Sequence, residues 1–232
     1  MKNLNIIIAA HNAQDFILDC YDSIKNQKIP DNWKINILIG VDGCKQTARV
    51  LKKSGIPFYF SKENHGAYII RNSLIYTDLS ADAYSYFDAD DVMNPGYIFE
   101  TIKKLNSGAD AVMCAKIQCN QFLKPLSGEA IIETGGAMTF TREVLEALGG
   151  YYRWRCAGDT DFMERAKIAG FEIIEIYKGL YMRRRHSGSL TKGGITKYGS
   201  KYRKQAWQAM TEKREQGIIQ ITPTVVKFEK NF

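Results

Sequence analysis

Short apolar runs alternate with stretches of helical periodicity along the first half of this chain, and nothing else in it constrains the fold as much. Leu4 to Ala10 is a continuous apolar run, as expected of a parallel strand buried on both faces. His11-Asn12-Ala13 breaks it, and Phe16, Ile17, Cys20, Tyr21 and Ile24 then recur at helical spacing. The pattern repeats with strands over 35–41, 57–60, 83–87 and 111–117, and helices over 46–53, 67–76 and 97–105. Strand and helix in alternation predict an α/β fold, a mainly parallel sheet flanked by helices. From residue 118 the pattern loosens. Strands are expected over 129–134, 137–141 and 171–177, and helices over 142–148, 159–169 and 198–214.

In an open α/β sheet, ligands bind at the C-terminal ends of the strands. Two strands of this chain end in acids there, at Asp42-Gly43 and at Asp88-Ala89-Asp90-Asp91. Carboxylates spaced i, i+2 at a strand end can grip a hard divalent cation, which in turn holds phosphates. The plain alternative is a solvated acidic turn before Asn94-Pro95-Gly96. Asp159 stands where the helix over 159–169 begins, and aspartate is a favoured helix cap as well as a candidate base.

Composition narrows the function classes. At 232 residues the chain can bury a full core, and no apolar run approaches the ~20 residues of a membrane span. Five scattered cysteines include no C-x-x-C pair, which argues against zinc and points to a reduced, cytoplasmic setting. The basic charge is concentrated at one end. Residues 178–232 hold thirteen Lys and Arg against three Glu, whereas the rest of the chain is slightly acidic. Such an end suits a polyanion or an anionic membrane surface.

The order of the motifs carries a resemblance. Ala10-His11-Asn12, Asp42-Gly43, Asn64-His65-Gly66, Arg71-Asn72 and Asp88-Ala89-Asp90-Asp91 follow one another. Gly135-Gly136-Ala137, Gly158-Asp159-Thr160-Asp161 and Arg185-His186-Ser187-Gly188-Ser189 come after them. This series resembles the family 2 type of nucleotide-sugar glycosyltransferase with the GT-A (Rossmann-like) fold, over about residues 4–190. The resemblance implies a glycosyltransferase domain over 1–190, with a nucleotide-sugar half (1–117) and an acceptor half (118–190). Residues 191–232 form a basic, helical C-terminal extension. It implies inverting transfer from a nucleotide-diphosphate sugar, a UDP-sugar in first place, with Mn²⁺ or Mg²⁺. Asp42 would contact the base, with Ala10 and Asn12 lining the same pocket, Arg71 approaching the nucleotide, and Asp88 and Ala89 completing the donor site. Asp90, Asp88 and His186 would hold the metal. Asp159 would be the catalytic base, with Asp161 as the alternative. Two departures stand out. Gly158 replaces the first acid of the family's Glu-Asp pair, and Val41-Asp42-Gly43 stands for its Asp-Asp-Gly.

The acceptor is less constrained. Trp154, Arg155 and Arg184 are candidates for its mouth, aromatic and basic residues that suit sugars or bases. A glycan is the first expectation. A hydroxymethylated base of DNA is the alternative, and a non-enzymatic nucleic-acid-binding module is the outsider.

Overall fold

The computed structural model describes residues 1–132 and 137–229. The expected Gly135-Gly136 motif and the end of the strand expected over 129–134 lie outside them. In chain order the elements are β1 (Lys2–Ala10), α1 (Ile17–Lys25), β2 (Trp33–Asp42), α2 (Lys45–Lys53), β3 (Tyr59–Ser61), α3 (Ala67–Ile75), β4 (Ala83–Asp88), β5 (Val92–Met93) and α4 (Tyr97–Asn106). They continue with β6 (Ala111–Asn120), β7 (Pro125–Ile131), β8 (Met138–Thr141), α5 (Arg142–Leu148), α6 (Gly158–Ile168), β9 (Ile173–Arg185) and α7 (Lys201–Glu215).

These strands form one sheet in the order β3-β2-β1-β4-β8-β6-β9-β5, with β7 beside β6. From β3 to β4 all neighbours are parallel. Beyond β4 the sheet is mixed, because β8 enters antiparallel to both β4 and β6. The apolar alternation of β1 explains the layering. Leu4, Ile6 and Ile8 pack with Ile17 and Cys20 of α1, Leu51 of α2 and Ile98 of α4 on one face. Ile7 packs with Ile70 and Leu74 of α3, Leu145 of α5 and Phe162 of α6 on the other. Burial on both faces is why β1 reads as a continuous apolar run. No helix among the described residues is long and apolar enough to cross a membrane.

Register brings the functional ends together. Ala10 lies beside Val41, Ala9 beside Asp88, and Asp42 beside Ser61, so three strands end along one edge. β6 runs in the same sense as β4, since both are antiparallel to β8. β9 is parallel to β6, with Asn120 opposite Arg185, so both end at that same edge.

Two expectations shift. The last strand does not stop at Tyr177 but runs on through Arg183-Arg184-Arg185, because β6 and β5 pair with it on either side. The strand expected over 129–134 begins earlier, at Pro125, as the outer arm of an exposed hairpin with β6. The C-terminal segment folds back over the domain. α7, capped by Ser200, packs Ala206 and Met210 against Tyr152 and Cys156. After it the chain runs as an extended strap. The strap bonds Ile221 N to Leu148 O (3.0 Å), Asn72 Nδ2 to Thr224 O (3.3 Å), Val226 N to Ser73 Oγ (2.8 Å) and Glu229 N to Phe60 O (2.8 Å).

Candidate active site

The acidic strand end divides its labour. Asp88 closes β4, and one of its oxygens lies 2.5 Å from Nη2 of Arg71, a buried guanidinium on α3. The guanidinium also stacks over Tyr86, 4.5 Å from the ring centre, and its Nε–H has no acceptor among the described residues. Burial pushes the Asp88 carboxyl up to about 6; Arg71 opposes that rise, and the charges of Asp90 and Asp159 add to it. Asp91 is sealed in, with Oδ1 accepting Arg184 N at 2.8 Å. Burial, then Asp90 and Asp88, hold its carboxyl well above the usual carboxylate range. Its geometry is that of a turn residue.

Asp90 faces the other way. Its Oδ2 lies 2.8 Å from Nε2 of His186, which follows the end of β9. Phe16 packs on the imidazole at 4.6 Å between ring centres. A carboxylate and an imidazole converging from two segments fit a divalent cation as two of its ligands, and the mixed O/N set suits Mn²⁺ better than Mg²⁺. Ligand and water oxygens would complete the shell. No cluster of three or more His, Cys, Asp or Glu forms a ready-made cage among the described residues. Asp88 is turned to Arg71 instead.

Asp42, 2% exposed, ends β2 inside a loop it helps to build. Its two oxygens accept the backbone N–H groups of His65 (2.7 Å) and Gly66 (2.8 Å), and its carbonyl meets Nδ1 of His11 at 2.5 Å. Asn12 sits in the left-handed region at φ 52°, which places it as an exposed turn directly after β1. Gly43 must be glycine. Its φ is +65°, and a Cβ there would stand 2.7 Å from Asn64 N. Gly43→Ala is therefore expected to push the 63–66 loop off Asp42 and cost roughly 1–3 kcal/mol of stability, measured by the shift in urea midpoint.

Asp159 is not the cap of its helix. The cap is Ala157 at φ 62°, and Asp159 is the second residue of α6, in a first turn that favours acids. Its Oδ1 accepts Thr160 N (2.9 Å) and the hydroxyl of Tyr68 on α3 (3.1 Å). Burial and the Asp159 charge raise the Tyr68 pKa well above its ordinary value, so the phenol remains a donor. Gly158 has a steric reason: a Cβ there would meet the Tyr68 ring at 3.0 Å. The alternative base, Asp161, stands differently. It is fully buried, with Oδ2 bonded to Arg165 Nε (2.8 Å) and Oδ1 to Arg214. Both oxygens are committed to ion pairs, so the structure gives Asp161 a clamping role in place of the expected base.

The three acceptor candidates part company. Arg184 lies inside, donating from Nε to Asp90 O (2.8 Å), from Nη1 to Gln121 O (2.7 Å) and from Nη2 to Asp19 (2.9 Å). Those bonds tie β9 to the acidic turn and leave it no free fork for an acceptor, which corrects the expectation. Arg155 fastens to Asn64 through its side chain and through Nη2 to the Asn64 carbonyl (2.7 Å). Trp154 packs edge-on against Tyr202 of α7 at 5.6 Å and lines a 580 Å³ pocket with Tyr152 and Lys213. Sequence reasoning missed Tyr68. Its only signal was its place at the start of the helix that carries Arg71.

The family profile described as Glycosyl transferase family 2 matches residues 5–149, more than half of the chain. The chain belongs to that family. A search of curated protein sequences finds no significant match. Among solved structures, the chain resembles S. aureus TarS 1–349 in complex with UDP-GlcNAc at TM-score 0.68 and 14% identity, covering 82% of this chain and 60% of that one. TarS 1–349 in complex with UDP gives TM-score 0.66 at 14% identity, over 80% of this chain and 61% of that one. The mannosyltransferase PcManGT from Pyrobaculum calidifontis, in complex with GDP-Man and Mn²⁺, gives TM-score 0.61 at 17% identity, covering 90% and 60%. The chain thus spans about three fifths of these proteins' lengths, and at such identities the likeness concerns the GT-A fold.

Proposed function

We propose that this family 2 glycosyltransferase moves a sugar, with inversion, from a nucleotide-diphosphate donor to an acceptor hydroxyl with the help of a divalent cation. The observation that carries the reading is the convergence at one sheet edge. The Asp90–His186 pair and the Asp88–Arg71 pair lie there, with Asp159 close enough for its charge to act on Asp88. The complexes of TarS with UDP-GlcNAc and of PcManGT with GDP-Man and Mn²⁺ support a nucleotide-sugar donor and a metal. A UDP-sugar is the donor proposed first.

Each residue then has a task. Asp42 keeps a lone pair on each oxygen beyond its two backbone bonds, and can accept from a ring N–H of the base, beside Ala10 and Asn12. Ala89 keeps the turn between the two acids small. Asp90 and His186 would hold Mn²⁺ or Mg²⁺, which when bound neutralises the leaving diphosphate. Arg71 orients Asp88 from inside the core and balances its charge. Asp159 takes the acceptor's proton through Oδ2, the oxygen Tyr68 and Thr160 leave open, as the acceptor oxygen bonds to the anomeric carbon and the bond to the diphosphate breaks. Trp154 flanks the acceptor side, Arg155 holds the 63–66 loop through Asn64, and a glycan is the acceptor proposed.

Nucleotide release from UDP- and GDP-sugars tests this, with Mn²⁺ and a panel of glycan acceptors, and with hydroxymethylated DNA as the competing arm. Chelation is expected to reduce turnover to background and added Mn²⁺ to restore it. His186→Ala is expected to raise the Mn²⁺ needed for half activity at least about tenfold. Full turnover under chelation would remove the metal from the reading.

A further inference from the structure

Exposed apolar side chains lie on two segments that leave the active-site edge of the sheet side by side. Phe122 (73% exposed) and Leu126 (55%) belong to the β6–β7 hairpin, and Leu190 (61%), Ile195 (60%) and Tyr198 (65%) to the loop after His186. The two segments are neighbours. Asn120 pairs with Arg185, and Arg184 bonds both Gln121 O and Asp90 O.

Neither segment is loose. Asn120 Oδ1 accepts the N–H groups of Phe122 (2.9 Å) and Lys124 (3.1 Å), fixing a turn that points Phe122 outward into solvent. In the loop, Thr196 Oγ1 donates to Leu190 O (2.9 Å), Tyr198 N to Thr191 O (3.1 Å), Ser200 Oγ to Ile195 O (2.7 Å) and Arg203 Nε to Thr196 O (2.9 Å). Internal bonding of this kind holds the apolar side chains out at no gain to the core.

The loop after His186 is basic throughout, whereas the hairpin carries one exposed acid, Glu129, and Arg184 at the edge is paired with Asp19. Between Glu175 and Glu212 the chain carries nine Lys and Arg and no acid. Lys192, Lys197, Lys201 and Lys204 are all exposed there. We infer that this edge docks on an anionic membrane surface, with Phe122, Leu190, Ile195 and Tyr198 entering the interface and the lysines facing the headgroups.

Charge alone would serve any polyanion. The aliphatic side chains decide between them. Leu126, Leu190 and Ile195 offer no flat face for a base to stack on and no donor for phosphate, whereas an interfacial bilayer region accepts aliphatic and aromatic groups beside Lys and Arg. Exposed apolar residues rimmed by charge mark an interaction surface, and a cationic rim makes anionic lipid its complement. Docked this way, the protein would present Asp90 and His186 to the lipid surface, so that an acceptor assembled there meets the site directly. The inference does not depend on the donor assignment, because its readout is binding.

The full chain is sedimented with phosphatidylcholine vesicles and with vesicles containing phosphatidylglycerol. At least about tenfold more protein is expected on the anionic vesicles at low salt, falling as salt is raised. Leu190→Ser with Ile195→Ser is expected to lower that partitioning about tenfold, and Lys192→Glu with Lys197→Glu by about 25-fold or more, with each lysine worth roughly fivefold and the added acids repelled. All four positions are exposed, and an unchanged melting temperature keeps the fold out of the comparison. Failure to bind anionic vesicles overturns the inference, as does binding indifferent to the serine pair. Tight binding to duplex or single-stranded DNA that survives the serine pair assigns the patch to nucleic acid and overturns it equally.

Discussion

Replacing Asp159 with Asn is expected to lower kcat by about 10²–10⁴-fold, the range a positioned general base contributes, while the nucleotide-sugar binds as before. The substitution is nearly isosteric. Asn keeps an oxygen that can accept from Tyr68 O–H (3.1 Å) and Thr160 N (2.9 Å), so the N-terminal turn of α6 should hold its shape. What it loses is the negative oxygen that can take a proton. The measurement is steady-state kinetics of nucleotide release, with donor affinity determined separately by calorimetry. A loss in kcat at constant donor affinity identifies an interaction made only as the acceptor reacts. A loss in donor affinity with kcat intact would instead move Asp159 to the donor side, where its charge already acts on Asp88. Unchanged turnover would leave the chain without the base proposed for it.

The parts of the fold that were legible in the sequence are those where burial is two-sided and local. β1 and β4 are near-continuous apolar runs because helices cover both faces, β2 is buried in the same way only from Ile39 on, and β2 and β4 end in the acids Asp42 and Asp88. The family likeness rested on these ends and on later motifs out to Ser189, and the profile match over 5–149 covers the earlier part of that series. Legibility fails where long-range pairing sets the environment. Arg184 looks like a surface arginine in a basic run, yet it is 5% exposed because Asp19 and the carbonyls of Asp90 and Gln121 come to it from elsewhere in the chain. β9 runs through that basic stretch because its neighbours supply its hydrogen bonds, which no periodicity of its own announces. Tyr68 lies 91 residues from Asp159, and the glycine that makes room for it, Gly158, reads in sequence as a lost acid. The strap after α7 alternates at Ile219-Gln220-Ile221 and Val226-Lys227-Phe228 yet forms only an isolated bridge, Phe60–Glu229, since its bonds go to Leu148, Asn72, Ser73 and Phe60 in turn.

Asp161→Ala should cost about 3–5 kcal/mol of stability, the usual consequence of removing one member of a buried ion pair. Asp161 and Arg165 are both fully buried on α6, bonded at 2.8 Å, and Arg214 reaches the second oxygen from α7. Without the carboxylate, Arg214, 8% exposed, can swing toward solvent, but Arg165 cannot. Its remaining bonds go to the carbonyls of Leu148 (3.0 Å), Gly150 (2.7 Å) and Ile219 (3.1 Å), neutral partners for a charge shut away from water. Those three carbonyls are also why replacing Arg165 as well would not restore the loss, since each would then be left without its donor. The experiment is urea unfolding of the parent and the variant, read from the shift in midpoint at constant slope. Kinetics settle the chemical question separately. Asp161 lies two residues from Asp159, so a base role would make Asp161→Asn lose turnover while the fold stood. A clamp predicts the reverse order, with the unfolding midpoint falling first and turnover persisting at temperatures where the variant is folded. Because Arg165 and Arg214 join α6 to the strap and to α7, the same measurement reports how far the basic C-terminal segment stabilises the helix that presents Asp159.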